Sequence, residues 1–313
     1  MKMLKFIFKR FINALVTIFI VITFVFFLIK LTPGNPFASE KTPIEAVRAL
    51  EHMYGFDRNL IIQYLDYLKH IFFHFDFGMS TKNIGVSVNS FLFPEHGEGG
   101  FFLSIKFGII VMIISTLLGI FLGIFSAIKV NGIIDRLINI FSIIGITFPT
   151  IVTGPLLVLF FSVILNWFPS GGWEMNFKSL FLPVVVLSFP NICMLAQIQR
   201  DSFCNIMQMP FITTAKAKGL PKSIIFFKHA LKPSLIPSIS FLGPTTASVL
   251  SGTVIVEKIF GFPGMGTLTI NAAINRDYNM ILALVIIYSS ILIFCNLIVD
   301  IMYGFLDPKI KIK

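Results

Sequence analysis

Charge is scarce in this chain. Asp, Glu, Lys and Arg make up 13% of its 313 residues, against about 25% in an ordinary soluble domain. Hydrophobic residues make up 56%, with 37 Phe among them. A soluble fold has too little interior to hide so much apolar surface, so the composition excludes a water-soluble domain and points to lipid as the solvent. Cysteine is equally sparse, and Cys193, Cys204 and Cys295 show no CxxC or other metal-ligand spacing. They read as helix-packing residues. No G-x-x-x-x-G-K-[ST] string occurs, nor H-E-x-x-H, nor G-x-S-x-G, which argues against a P-loop ATP site, a zinc protease and a serine hydrolase. His52, His70, His74, His96 and His229 are scattered along the chain and read as surface or loop residues rather than metal ligands. The expectation is no catalytic residue, no metal site and no cofactor bound by this chain. Ionisable groups are also missing from the middle of the apolar stretches. Glu257 and Asp300 fall at expected helix ends, whereas proton-driven carriers keep such groups at mid-membrane.

What is present is a series of long apolar runs. A spanning helix needs about 20 mostly apolar residues, and six stretches qualify: Phe11 to Leu31, Phe107 to Ile128, Leu137 to Trp167, Ser179 to Gln199, Pro233 to Val256, and Met280 to Val299. Their continuity excludes the alternating pattern of a spanning β-barrel. The sequence therefore predicts an all-α polytopic membrane protein with six transmembrane helices. The first run exceeds the usual apolar core of a signal peptide and no A-x-A site follows it, so it reads as a retained signal anchor.

Loop charge sets the orientation. Lys2, Lys5, Lys9 and Arg10 precede the first helix. Arg200, Lys216, Lys218, Lys222, Lys228 and Lys232 lie between the fourth and fifth, and Lys309, Lys311 and Lys313 end the chain. The opposite loops are poorer in basic residues, so both termini are expected in the cytoplasm. The net charge of +10 is then a topology signal, and nucleic-acid binding is discarded.

The region from Thr32 to Gly100 is too polar to span. Thr42-Pro43-Ile44-Glu45 reads as a capping box with proline at the first helical position, and Gly55 as the stop of that helix. Leu60, Ile61, Tyr64, Leu65, Leu68 and Phe72 make a second amphipathic pattern. A structural cap and a docking surface for an external partner both fit this region. Pro149, Pro155, Pro183, Pro190, Pro237 and Pro244 interrupt the third to fifth runs, and each removes a backbone donor. In the fifth run Thr245, Thr246, Ser248, Ser251, Gly252 and Thr253 suit either close helix packing or a polar route.

The strongest motif lies in the basic loop: Phe211-Ile212-Thr213-Thr214-Ala215-Lys216-Ala217-Lys218-Gly219-Leu220-Pro221. Ala215 and Ala217 favour helix, Lys216 and Lys218 suit its C-terminal dipole, and Gly219 can take the left-handed cap before Pro221 stops it. The alanines would leave a shallow side for another protein to grip. This loop resembles the EAA loop of ABC-importer permeases, whose glycine matches Gly219, with Thr214 where the motif's Glu would stand. The string from Phe211 to Pro237 is similar to the peptide and nickel branch. Leu31-Thr32-Pro33-Gly34-Asn35-Pro36, Phe75-Asp76-Phe77-Gly78, Pro169-Ser170-Gly171-Gly172-Trp173, the run from Val256 to Gly266, Asn275-Arg276-Asp277-Tyr278 and Asp307-Pro308-Lys309 agree in order. The resemblance covers nearly the whole chain and is nearest the B-type permease of oligopeptide importers.

That resemblance implies a type I ABC-importer permease fold in the inner or plasma membrane. It divides the chain into a tail and first helix (1–31), an extracytoplasmic, partly helical region (32–100), a five-helix core (101–306) with a cytoplasmic coupling loop (200–233), and a tail (307–313). It implies three kinds of partner besides membrane lipid: a second homologous permease, two cytoplasmic ATPase subunits, and an extracytoplasmic peptide-binding protein. Phe211, Thr214, Ala215, Lys216, Ala217, Lys218, Gly219 and Leu220 would couple to the ATPase, and ATP would be used by the partners. Dipeptide and nickel permeases share these motifs. A stand-alone secondary transporter or channel, and a nontransporting membrane scaffold, are the rival classes.

Overall fold

A computed structural model describes residues 2–38, 43–95, 99–172, 174 and 176–306, without the side chains of 2–6, 244, 248, 251, 252, 300 and 303–306. Trp173, His96, Thr42, the 307–309 string and the three C-terminal lysines lie outside the described residues. Thirteen helices are named here: α1 (Lys2–Leu31), α2 (Ile44–Met53), α3 (Leu60–His74), α4 (Val88–Leu92), α5 (Gly100–Ile128), α6 (Ile133–Thr147), α7 (Thr150–Leu157), α8 (Phe177–Met207), α9 (Pro210–Ala217), α10 (Lys222–Ile224), α11 (Leu231–Phe260), α12 (Met265–Asn275) and α13 (Tyr278–Leu306). Wider π-helical turns continue α7 through Val158–Ile164 and fill Ile225–Ala230 before α11. Among the described residues the only strand-like pairing is one isolated bridge between Met79 and Ser87.

Four helices are long and apolar enough to cross a membrane, and a bent pair makes up to five among the described residues. The bent pair is the third apolar run. It does not continue straight from Leu137 to Trp167. It begins at Ile133 and turns by 103° between α6 and α7. The cause is local: Phe148 precedes a proline, which disfavours helical backbone there, and both Phe148 (φ −83°, ψ 118°) and Pro149 (φ −65°, ψ 141°) are extended. The other prolines do not end their helices. α8 runs through Pro183 and Pro190, and α11 through Pro237 and Pro244.

The chain divides into two compact units. The first comprises Met1–Phe11, Phe107–Gly261 and Phe294–Lys313. Its centre is α8, the most buried of the candidate spans, which packs on α6, α7 and α11. α5 meets α8 along Gly119 and Gly123, one turn apart. A Cβ on Gly123 would stand 2.5 Å from the Ala196 carbonyl, and one on Gly119 would stand 2.6 Å from Leu195 Cβ. Small residues at this four-residue spacing let two backbones touch. Pro169–Gly172 folds back onto the end of α11, with the Gly172 amide donating to the Phe260 carbonyl at 3.0 Å. The Thr245, Thr246 and Thr253 hydroxyls bond to carbonyls of their own helix. Glu257 lies three residues before the end of α11, as expected, and is buried.

The second unit comprises Ile12–Lys106 and Phe262–Ile293. Its core joins Ile22 of α1, Ile71 of α3, Val88 and Leu92 of α4, Met265 and Ala272 of α12, and Ala283 and Leu284 of α13. α2 begins one residue later than the sequence predicts, with Pro43 at the N-cap. It ends at Met53, with Tyr54 at the C-cap followed by Gly55, whose φ is +68°. α3 is apolar on two sides. Leu60, Tyr64, Tyr67, Leu68 and Ile71 pack inward, whereas Ile61, Leu65 and Phe72 are exposed. Strings far apart in sequence converge here. The buried Asp277 carboxylate accepts hydrogen bonds from the Ser80 hydroxyl, the Thr81 amide (3.0 Å) and the Thr81 hydroxyl (3.2 Å). Tyr278 Oη donates to the Gly34 carbonyl at 3.1 Å, and Asn279 Nδ2 to the Met79 carbonyl at 2.8 Å. These bonds tie the 32–100 region to the start of α13.

Candidate coupling site

The basic loop folds as its residues dictate. Pro210 occupies the first helical position of α9, where its missing N–H costs nothing. At the other end Gly219 is left-handed, with φ +71°. The Gly219 amide donates to the Lys216 carbonyl (3.0 Å) and the Leu220 amide to the Ala215 carbonyl (3.3 Å). This pair of bonds is a complete Schellman motif. Leu220 and Ala215 share one apolar cluster, the contact that accompanies such a cap. Pro221 then follows.

α9 is two-sided. Ile212 and Ala215, three residues apart, are buried. They pack with Phe203, Ile206 and Met207 from the end of α8, and with Ile225, Phe226 and Ala230 from the π-helical turn before α11. Phe211, Thr214, Lys216, Ala217, Lys218 and Gly219 are exposed. Of the two alanines, only Ala217 offers the shallow outer side; Ala215 faces the core. Two further apolar side chains of this loop, Met209 and Phe227, are exposed and are not picked out by the motif. A large apolar residue beside lysines in a polar loop was the available signal.

Two buried polar clusters brace this loop. The Asp135 carboxylate takes a bidentate grip from Arg200, Nε at 2.6 Å and Nη2 at 2.8 Å. It also accepts from the Ser126 hydroxyl, the Asn131 amide (2.8 Å) and Asn139 Nδ2 (2.9 Å). The end of α5, the turn after it, α6 and α8 are thereby pinned at one carboxylate. At the residue before Arg200, Gln199 Nε2 donates to Ser234 Oγ at 3.1 Å and Gln199 Oε1 accepts from Ser238 Oγ at 2.7 Å, which joins α8 to α11. Sequence reasoning counted Arg200 only as a loop charge and gave Asp135 no role. A lone carboxylate entering an apolar helix right after Gly132 was the cue.

Among the described residues no group of three His, Cys, Asp or Glu is placed to hold a metal. Cys193 is buried, Cys204 and Cys295 half-buried, and all three are free.

Residues 119–312 match the family model for the inner membrane component of binding-protein-dependent transport systems, and residues 3–91 match the model for the N-terminal region of such membrane components. The oligopeptide transport system permease protein OppB of Haemophilus influenzae is 42% identical over 311 residues, 99% of this chain and 100% of the relative. OppB of Escherichia coli K12 is 40% identical with the same coverage. The dipeptide transport system permease protein DppB of Bacillus subtilis is 38% identical over 99% of each chain. With full-length relatives, two matching family models and several membrane-long helices, the chain belongs to the binding-protein-dependent transport system inner membrane components and is a multi-pass inner membrane protein.

Proposed function

We propose that this chain is the permease subunit of an ATP-driven importer of oligopeptides, forming half of the translocation pathway beside a second, homologous permease. Relatives named as oligopeptide permeases, matched from end to end, support the substrate class. On this reading α1, α5, the α6–α7 pair, α8, α11 and α13 are six spans of a type I importer fold. Both termini and the 200–233 loop lie in the cytoplasm, and the 32–100 region lies outside with the peptide-binding protein. The 101–306 core carries the pathway. The basic residues of the N-terminal tail and of the Arg200 to Lys232 loop support that orientation.

The observation that carries the reading is the two-sided build of α9. Its inner side shares one cluster with the end of α8 and the turn entering α11, and packed interiors shift as bodies. Two cytoplasmic ATPases would each grip the loop of one permease. Phe211, Thr214, Lys216, Ala217 and Lys218 form the gripped face here. Ala215, Gly219 and Leu220 hold the stub in shape. Closure of the ATPase pair on ATP would move α8 and α11 together and turn the pathway from inward-open to outward-open.

Reconstitution tests this. Vesicles containing the chain, its partner permease, both ATPases and the binding protein should accumulate a labelled pentapeptide only with ATP. Peptide uptake by this chain alone would support a secondary transporter instead. A dipeptide permease is the second reading, favoured by the DppB relative. Competition by unlabelled dipeptides as strong as by pentapeptides would select it.

A further inference from the structure

Several polar side chains at the C-terminal end of α1 have no part in coupling. Lys30 closes the apolar stretch Ile7–Leu31, where a membrane surface falls. Its ammonium lies 3.3 Å from the ring centroid of Phe56 and 5.9 Å from that of Phe26. Ring faces occupy only part of an ammonium's three donors. The carboxylates nearby are engaged elsewhere, Asp66 with Arg58 (3.4 Å) and Asp76 with His70 (3.6 Å). The Tyr67 ring packs 5.5 Å from Phe26, and its hydroxyl is buried without a hydrogen-bond partner. Burial also raises the pKa of that phenol, so it keeps its proton to donate. Lys30 and Tyr67 share one cavity of about 270 Å³ with the paired Arg58, Asp66, His70 and Asp76. Unmatched donors around an open space call for an acceptor.

An adjoining side of α1 bears an apolar groove of about 800 Å³, lined by Phe19, Thr23, Phe27, Leu31 and Pro33. From Phe19 to Leu31 it follows the helix for roughly 18 Å at 1.5 Å per residue. We propose that the cavity binds the phosphate diester of a membrane phospholipid, which accepts hydrogen bonds from Lys30 Nζ and Tyr67 Oη, while an acyl chain lies in the groove along α1. Free phosphate offers the same oxyanion but leaves the groove unfilled. The assignment depends on α1 lying in a bilayer and not on the transport reading.

Full-length protein purified in mild detergent and titrated with palmitoyl-oleoyl-phosphatidylglycerol tests it, with bound lipid counted by native mass spectrometry. One tightly held phospholipid is expected. Lys30→Met should weaken it roughly tenfold, the size of one charge-assisted hydrogen bond. Tyr67→Phe keeps the ring and should weaken it about threefold, while Lys178→Met should leave it unchanged. Equal retention in the parent and Tyr67→Phe overturns the site, and this variant decides even if Lys30→Met fails to accumulate. Excess inorganic phosphate should leave the lipid bound. Displacement by phosphate would mark a free-anion site and overturn the lipid assignment.

Discussion

Asp135 is held by one guanidinium, two side chains and one amide, so the cost of losing its cation can be anticipated. Arg200→Met would leave a buried carboxylate without its counter-charge, at about 3–5 kcal/mol. The variant should melt well below the parent in detergent, read by tryptophan fluorescence or a thiol-reactive dye. Adding Asp135→Asn should restore part of the loss, because no charge then stays buried unpaired. A single Arg200→Met variant as stable as the parent would show that the pair does not hold α6 on α8. Both residues were visible in the sequence as charges, but their pairing was not. They stand 65 positions apart, and no local pattern says that two such groups meet.

At the scale of elements, two glycine predictions follow from different physics. Nothing lies within 4 Å of a Cβ added at Gly219, yet its φ is +71°. Gly219→Ala should therefore cost about 1–2 kcal/mol through the left-handed backbone alone. Gly219→Asn should cost less, since Asn tolerates that region. ATP-dependent uptake should fall in the order Gly, Asn, Ala at equal expression, and equal uptake by Gly219→Ala would remove the cap from the coupling argument. Gly123 is limited by space. Gly123→Ala would push a methyl into the Ala196 carbonyl and should destabilise by about 1–3 kcal/mol. Gly108→Ala, with nothing within 4 Å, should be neutral or slightly stabilising. Thermal melts of the two variants separate the effects. The Gly219 cap was readable in advance because Ala, Lys, Gly and Pro act on their own few residues of backbone. The 103° elbow was half readable: Pro149 marks it, but Pro155, Pro183 and Pro190 carry the same local signal and their helices run on.

For the molecule as a whole, the orientation makes a sharp expectation. Ala217→Cys is exposed on α9 and should react with a membrane-impermeant maleimide in inverted inner-membrane vesicles but not in intact spheroplasts. Cys204 and Cys295 are half-buried, so a Cys-free parent is the control. The same cysteine should cross-link to an ATPase subunit in the assembled importer. Labelling from the spheroplast exterior would reverse the topology and detach α9 from any cytoplasmic motor. Membrane residence, the helical class and the family were legible from composition, run length and short strings, because each depends on local chemistry and on the solvent the chain must match.

What sequence alone determined was therefore the one-dimensional part: where apolar runs are long enough for a bilayer, where backbone chemistry begins and ends the loop helix, and which strings resemble a permease. Only the tertiary structure decided which side chains meet. It turned Ala215 inward and Ala217 outward, paired Asp135 with Arg200, and brought Gly34, Ser80 and Asp277–Tyr278 together across some 200 residues of chain. The physical reason is that run length and capping are fixed by neighbours in sequence, whereas burial and pairing are fixed by neighbours in space.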